Sequence, residues 1–190
     1  MSGRAAPAGW VGRPLKRLED PRFLRGRATY IDDLTFPGML HVAMLRSPHA
    51  HARLVRLAAS AAAALPGVAA ALTGEDVARV MPPLSPLIPI PNPPRTYPLA
   101  VDRVRYVGEP IAAVAACDRA TAEDAVELIR AEYEPLPAVV DPERALAPEA
   151  PVLFDEMGSN VLWHDTLTYG DVDGAFTAAR TVVRERFTIH

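Results

Sequence analysis

Forty residues, Val101 to Val140, constrain this chain more than any others. Val104 to Val107 is β-branched and aromatic, and Gly108-Glu109-Pro110 interrupts it. Ile111 to Cys117 is a run of small apolar residues, the pattern of a strand buried on both faces. Thr121 sits where a helix N-cap belongs, its hydroxyl within reach of the Asp124 amide, and acids near the start suit the positive helix end. Ala122, Ala125, Val126 and Ile129 recur at helical spacing and predict one inward stripe. Pro135 ends any continuation of that helix, and Ala138-Val139-Val140 reads as a further strand. The unit is strand, turn, strand, helix, strand, with the rest of the domain packed on it.

Other segments repeat the theme. Met39 to Leu45 predicts a second buried strand, Ala52 to Leu57 is strand-like with Arg53 and Arg56 as its polar positions, and Val68 to Leu72 predicts a third small-residue strand. Ala58 to Leu65 predicts a short helix stopped by Pro66-Gly67, and Thr73 with Asp76 predicts a cap for a helical turn reaching Val80. Pro142 to Leu146 suggests one more helical turn, and Tyr169 to Phe176 leads into a short helix. Phe23-Leu24-Arg25-Gly26 and Ala28 to Ile31 read as short strands, and Phe36-Pro37-Gly38 as a type II turn. Val152 to Phe154 reads as an edge strand, Ser159 to Trp163 as an extended piece, and Thr181 to Ile189 as a half-buried strand that lacks a partner. Residues 81–98 carry eight prolines and predict a polyproline-like loop.

Bulk properties exclude several function classes. The net charge of −3 gives no electrostatic case for nucleic acid or an anionic membrane. No apolar run is long enough to span a bilayer, and the first ten residues lack a signal-peptide core, so a cytoplasmic location is expected. The core must be built of small side chains, since 49% of the residues are hydrophobic but only 6% aromatic. Cys117 is the sole cysteine; it has no disulfide partner in the chain and is expected in the core, where nothing nearby activates it.

Candidate chemistry is sparse. His49 and His51 would face one side if they lay on a strand, and so could reach one metal ion, but two ligands do not complete a site. Local hydrogen bonding is the simpler expectation for them. Asp32-Asp33 and Asp171 with Asp173 fit turn and cap duty better than cation binding. Glu109 is a lone carboxylate in a glycine–proline turn, a place where a general base could be held. No phosphate-cradling glycine loop is present. Nothing in these residues specifies a catalytic centre.

One family gathers these segments in order. Val11-Gly12-Arg13-Pro14, Arg17-Leu18-Glu19-Asp20, Pro37-Gly38-Met39-Leu40, Arg46-Ser47-Pro48-His49-Ala50-His51-Ala52-Arg53, Leu72-Thr73-Gly74-Glu75-Asp76 and Val104-Arg105-Tyr106-Val107-Gly108-Glu109-Pro110 carry the resemblance, with Tyr133-Glu134-Pro135-Leu136-Pro137 and Gly170-Asp171-Val172-Asp173 beyond. The chain resembles the N-terminal α/β-hammerhead domain of the molybdenum-binding large subunit of the xanthine dehydrogenase, aldehyde oxidase and aerobic CO dehydrogenase family. The resemblance implies an α/β (α+β) hammerhead fold, a mixed sheet with short helices plus an extended C-terminal linker and strand. It divides the chain into an arm at 1–22, the hammerhead at 23–146 and a linker with a first strand at 147–190, leading toward a molybdopterin-binding region that the chain does not include.

By the same resemblance, this chain is a non-catalytic scaffold of a molybdenum hydroxylase and binds no cofactor alone. Its complex would contain molybdopterin cytosine dinucleotide, [2Fe–2S] clusters and FAD, on a molybdopterin-binding polypeptide, a small iron–sulfur subunit and an FAD subunit. Electrons would leave a small substrate at molybdenum and pass through the clusters to the flavin. Contact surface is expected at Arg46, Ser47, His49, His51, Arg105, Gly108 and Glu109, in rigid turns beside buried strands. A stand-alone binding or assembly module without enzyme activity is the alternative.

Overall fold

The computed structural model describes residues 10, 12–88, 90–91 and 93–187. They form two units, one ending at Met39 and the other beginning at Leu40.

The first unit contains a short helix, α1 (Asp20–Leu24), where the sequence suggested a strand at 23–26. Pro21 stands in the first turn, where its missing N–H costs nothing, and Arg17 pairs with Asp20 at 2.9 Å. Phe23 stacks on Tyr30 with ring centroids 6.4 Å apart. The expected strand at 28–31 is also absent; Ile31–Asp33 is a 3-10 turn, and the Asp33 carboxylate accepts from the Tyr30 amide at 2.9 Å. This is the cap duty expected of that acid pair. The Met39 amide donates to the Phe36 carbonyl, closing the proline–glycine turn.

The second unit contains two antiparallel three-stranded sheets. Its strands are β1 (His41–Arg46), β2 (Ala52–Ala58), β3 (Val68–Thr73), β4 (Arg103–Val104), β5 (Pro110–Ala116) and β6 (Arg130–Pro135). One sheet has the order β1-β5-β3 and the other β4-β2-β6. The helices are α2 (Ser60–Ala63), α3 (Gly74–Val80), α4 (Arg119–Glu127) and α5 (Val172–Ala178).

The organising stretch folds as expected in outline. β5 is the central strand of its sheet, with Ile111, Ala112, Val114 and Ala116 fully buried. α4 lies against β1 and β5 and presses Ala122 and Ala125 inward. Its cap is Asp118, three residues before Thr121; the Thr121 amide and hydroxyl both donate to that carboxylate at 2.8 Å. Those two bonds, backbone first, hold the Asp118 carboxyl below its ordinary value. The final strand is β6 rather than 138–140, because Arg53 and Arg56 of β2 meet Glu134 and Glu132 across the pair and favour that register.

Other expectations need correction. β1 is half exposed, since it forms an outer strand with one uncovered face: Val42 is 60% accessible. Cys117 lies one residue past β5 and is exposed, its thiol donating to Asp118 at 3.3 Å. No strand forms at 152–154 or 181–187; residues 188–190 lie outside the described residues. Residues 144–146 make a single 3-10 turn, and Thr73 caps α3 with Asp76 as predicted. The proline-rich segment contains no helix or strand among its described residues and is closed by the Leu84 amide donating to Thr96 at 2.8 Å.

Two buried clusters fill the unit. Ala62, Ala112, Val114, Ala125 and Ile129 form one, and Ala52, Ala100, Val104 and Ile111 the other. Leu45 and Leu57 pack against both, so the clusters adjoin. Five of these nine residues are alanine, which lets helix and sheet backbones approach closely.

Candidate functional site

The two segments expected to form contact surface are laced together. β1 runs into the turn at 46–51, and β4 runs into the turn at 105–109. The Ser47 amide donates to the Glu109 carbonyl at 2.9 Å, and the Gly108 amide donates back to the Ser47 carbonyl at 2.8 Å. Arg46 Nη1 donates to the Gly108 carbonyl at 2.9 Å. Gly108 stands at φ +89°, a conformation that a side chain disfavours, so glycine is required for the turn that offers both its groups to β1.

Within the first turn, Ser47 Oγ accepts from the His49 amide at 3.0 Å and donates to the His49 carbonyl at 3.1 Å. The His49 ring lies 4.8 Å from that of Tyr133 on β6, whose phenol burial pushes up in pKa. His51 Nδ1 donates to the Pro137 carbonyl at 2.6 Å, tying the turn to the chain beyond β6. Both histidines precede β2 instead of lying on it, and their rings are committed to different partners. The shared strand face on which a metal pair would depend does not form.

The second turn is held from within. The Glu109 carboxylate accepts from the Arg105 amide. Burial pushes the Glu109 carboxyl above its ordinary value, against the lowering pull of the Arg105 amide and guanidinium. Arg105 lies over the Phe154 ring at 4.3 Å, and its Nε donates to the Leu153 carbonyl at 3.0 Å. Arg103 Nη1 bonds Asp155 at 3.0 Å. A cleft of about 560 Å³ opens beside this turn, with Arg95, Tyr97, Asp102, Arg105, Glu109 and Glu156 on its walls.

Of the seven residues singled out, Ser47 and His51 are buried, Arg46 is exposed, and the other four are half-buried. Sequence reasoning missed Arg103, Leu153, Phe154 and Asp155, which pin the second turn. They are about 50 positions apart along the chain and share no periodic pattern. Tyr133 was legible only as part of the motif Tyr133-Glu134-Pro135-Leu136-Pro137 that carries the resemblance.

The donor set does not fit a molybdenum cofactor. One buried imidazole is tied to a carbonyl, and one carboxylate is turned onto a backbone amide. No three His, Cys, Asp or Glu side chains converge among the described residues. The chemistry present is that of a braced structural joint. No helix among the described residues is long and apolar enough to cross a membrane.

Fold and joint together define an α/β domain of hammerhead type, two small antiparallel sheets bridged by short helices. A family model described as "Aldehyde oxidase and xanthine dehydrogenase, a/b hammerhead domain" matches residues 25–137. The chain belongs to that family. It is 39% identical over 175 residues to the nicotine 6-hydroxylase large subunit of Paenarthrobacter nicotinovorans, a match covering 91% of this chain and 21% of that one. It is 36% identical over 204 residues to the carbon monoxide dehydrogenase large chain of Afipia carboxidovorans, covering 98% of this chain and 24% of the relative. Among solved structures, quinoline 2-oxidoreductase from Pseudomonas putida 86 superposes with a TM-score of 0.77 at 42% identity, over 91% of this chain and 22% of that one. The chain thus spans less than a quarter of the length of these relatives.

Proposed function

We propose that this chain is the scaffold and interface part of a molybdenum hydroxylase. It braces the polypeptide that carries molybdopterin cytosine dinucleotide and presents the joined turns at 46–51 and 105–109 to the small iron–sulfur subunit. The assembled enzyme hydroxylates a small substrate, with electrons passing from molybdenum through [2Fe–2S] clusters to FAD on a third subunit. No step of that chemistry is assigned to a residue of this chain, and the chain alone is inactive.

The observation that carries the reading is the joint itself. Two turns distant in sequence are crosslinked by three hydrogen bonds among Arg46, Ser47, Gly108 and Glu109, with His51 anchoring the base. Rigid placement of polar groups by an underlying core is what a contact surface needs, because little ordering entropy is then lost on binding. Names of relatives support the same class, among them a xanthine dehydrogenase molybdenum-binding subunit from Escherichia coli.

The test is to co-express the chain with molybdopterin-bearing, iron–sulfur and flavin polypeptides from its own genome and isolate it by a tag. The expected result is a complex containing molybdenum, iron and flavin, and a chain that alone reduces no dye with any substrate. Recovery of the chain alone, loaded with pterin or hydroxylating a substrate, would end the proposal.

A further inference from the structure

The sheet β1-β5-β3 has two unlike faces. In register, Ala43, Val114 and Ala71 lie side by side, as do Leu45, Ala112 and Thr73; Val114 and Ala112 of these rows belong to the core cluster beneath α4. The alternate positions make the other face. Val42, Ala115 and Ala70 form one row across it, and Met44, Ala113 and Leu72 the next. All six are apolar and none is charged. The outer-strand members are exposed, with Val42 60% accessible, Met44 45% and Leu72 46%, and Ala113 and Ala115 between them are half-buried.

The pattern is that of a shallow trough. Alanines of the central strand form the floor, and Val42, Met44 and Leu72 form the two walls. β1 and β3 are both outer strands, and neither has a proline or lysine within it. An apolar outer strand without such protection adheres to other chains unless a partner covers it. By contrast, the pair β2 and β6 sets Arg53 against Glu134 and Arg56 against Glu132, with all four side chains more than half accessible, a surface built to stay wet.

We propose that this trough is the seat of the molybdenum-bearing polypeptide, which lays an apolar ridge of large side chains along the alanine floor. The inference rests on the scaffold reading above and names the face through which the scaffold works. The relatives point to this occupant. The matched segment makes up 22% of the quinoline oxidoreductase chain and 24% of the carbon monoxide dehydrogenase large chain, so most of each large subunit lies outside it. A membrane surface is a poorer occupant, since Arg46 is the only arginine or lysine of β1 and β3 has none.

The experiment uses Leu72→Cys in a Cys117→Ser background, because native Cys117 is itself exposed. Maleimide labelling of the thiol is followed in the free chain and in the purified complex, together with oxidation of Met44 by hydroxyl radicals. The expected result is rapid labelling in the free chain and labelling at least about tenfold slower in the complex, with Met44 protected in parallel. Met44→Asp should lower recovery of the molybdenum-bearing polypeptide about tenfold, while Arg56→Glu leaves it unchanged. A complex that forms while Leu72→Cys labels at the free-chain rate overturns this inference and leaves the scaffold reading standing. Failure of any complex to form overturns both. Protection already present in the free chain assigns the trough to a second copy, and overturns the inference.

Discussion

The two sheets of the second unit solve the same problem with opposite materials. β1-β5-β3 is built from alanine and valine, is covered by α4 on one face and is left apolar on the other. β4-β2-β6 pairs arginine with glutamate across its longer strands and buries only a short stripe around Ala52 and Val104. Small apolar side chains stabilise by close packing, which tolerates no change of volume. Exposed ion pairs contribute little energy but set register and keep the surface solvated. The first sheet therefore carries most of the buried core, and the joint at 46–51 and 105–109 links the two sheets, since 46–51 connects β1 to β2 and 105–109 connects β4 to β5. Ile111 binds these halves: its backbone belongs to the first sheet, and its side chain fills the cluster of the second.

That division can be broken at Ile111. Ile111→Ala is expected to cost about 3 kcal/mol in denaturant unfolding, the range for truncating a fully buried isoleucine. Hydrogen exchange should loosen β2 and β5 together; loosening of β5 alone would mean the sheets are independent. Next in size is Gly67→Ala. Gly67 has φ +91°, and a Cβ there would lie 2.9 Å from Cys117 Sγ, so a loss of about 2 kcal/mol is expected. In a Cys117→Ala background the part of that loss due to the thiol should disappear, leaving the 3.2 Å approach to Thr121 Cγ2 and the backbone part.

A smaller loss, about 1 kcal/mol, is expected for Thr73→Ala, which removes the cap that joins β3 to α3. Glu109→Gln tests the joint by pH. The folded-state pKa of Glu109 is raised above its ordinary 4.5, so the stability it contributes is present below that value and is lost as pH rises through the folded one. The melting temperature of the Gln variant, compared with the parent, should therefore improve as pH rises above 4.5. A parent and variant with parallel pH profiles would remove burial as the cause. The smallest effect belongs to the second sheet. Arg56→Ala should change stability by no more than about 0.5 kcal/mol and should do so less in high salt.

Much of this was readable from local pattern. The small apolar run at 111–117 marked the central strand, the helical spacing of Ala122, Ala125, Val126 and Ile129 marked the helix over it, and Thr73 with Asp76 marked a cap. Each is a signal that neighbouring residues send to one another, and periodicity preserves it. The motif order also carried the family, which the match to residues 25–137 bears out.

Local signals misled where a residue's state depended on a distant partner. Ala138 to Val140 looked like the strand after the helix, yet the strand is β6 at Arg130–Pro135, because β2 supplies its opposite charges. Phe23 to Gly26 looked extended and turned helical, since aromatic content alone does not secure a strand without a neighbour. Cys117 looked buried by continuity with its run, yet the strand ends one residue earlier.

By itself, the sequence determined β1, β2, β3 and β5, the body of α4 and the Thr73 cap, since spacing of apolar and capping residues acts over a few positions. Only the tertiary structure decided that Ser47 and His51 are buried, that Arg105 is pinned by Leu153 and Phe154, and that one face of the alanine sheet stays bare. Burial is a property of what arrives from elsewhere in the chain, and no window of neighbouring residues contains it.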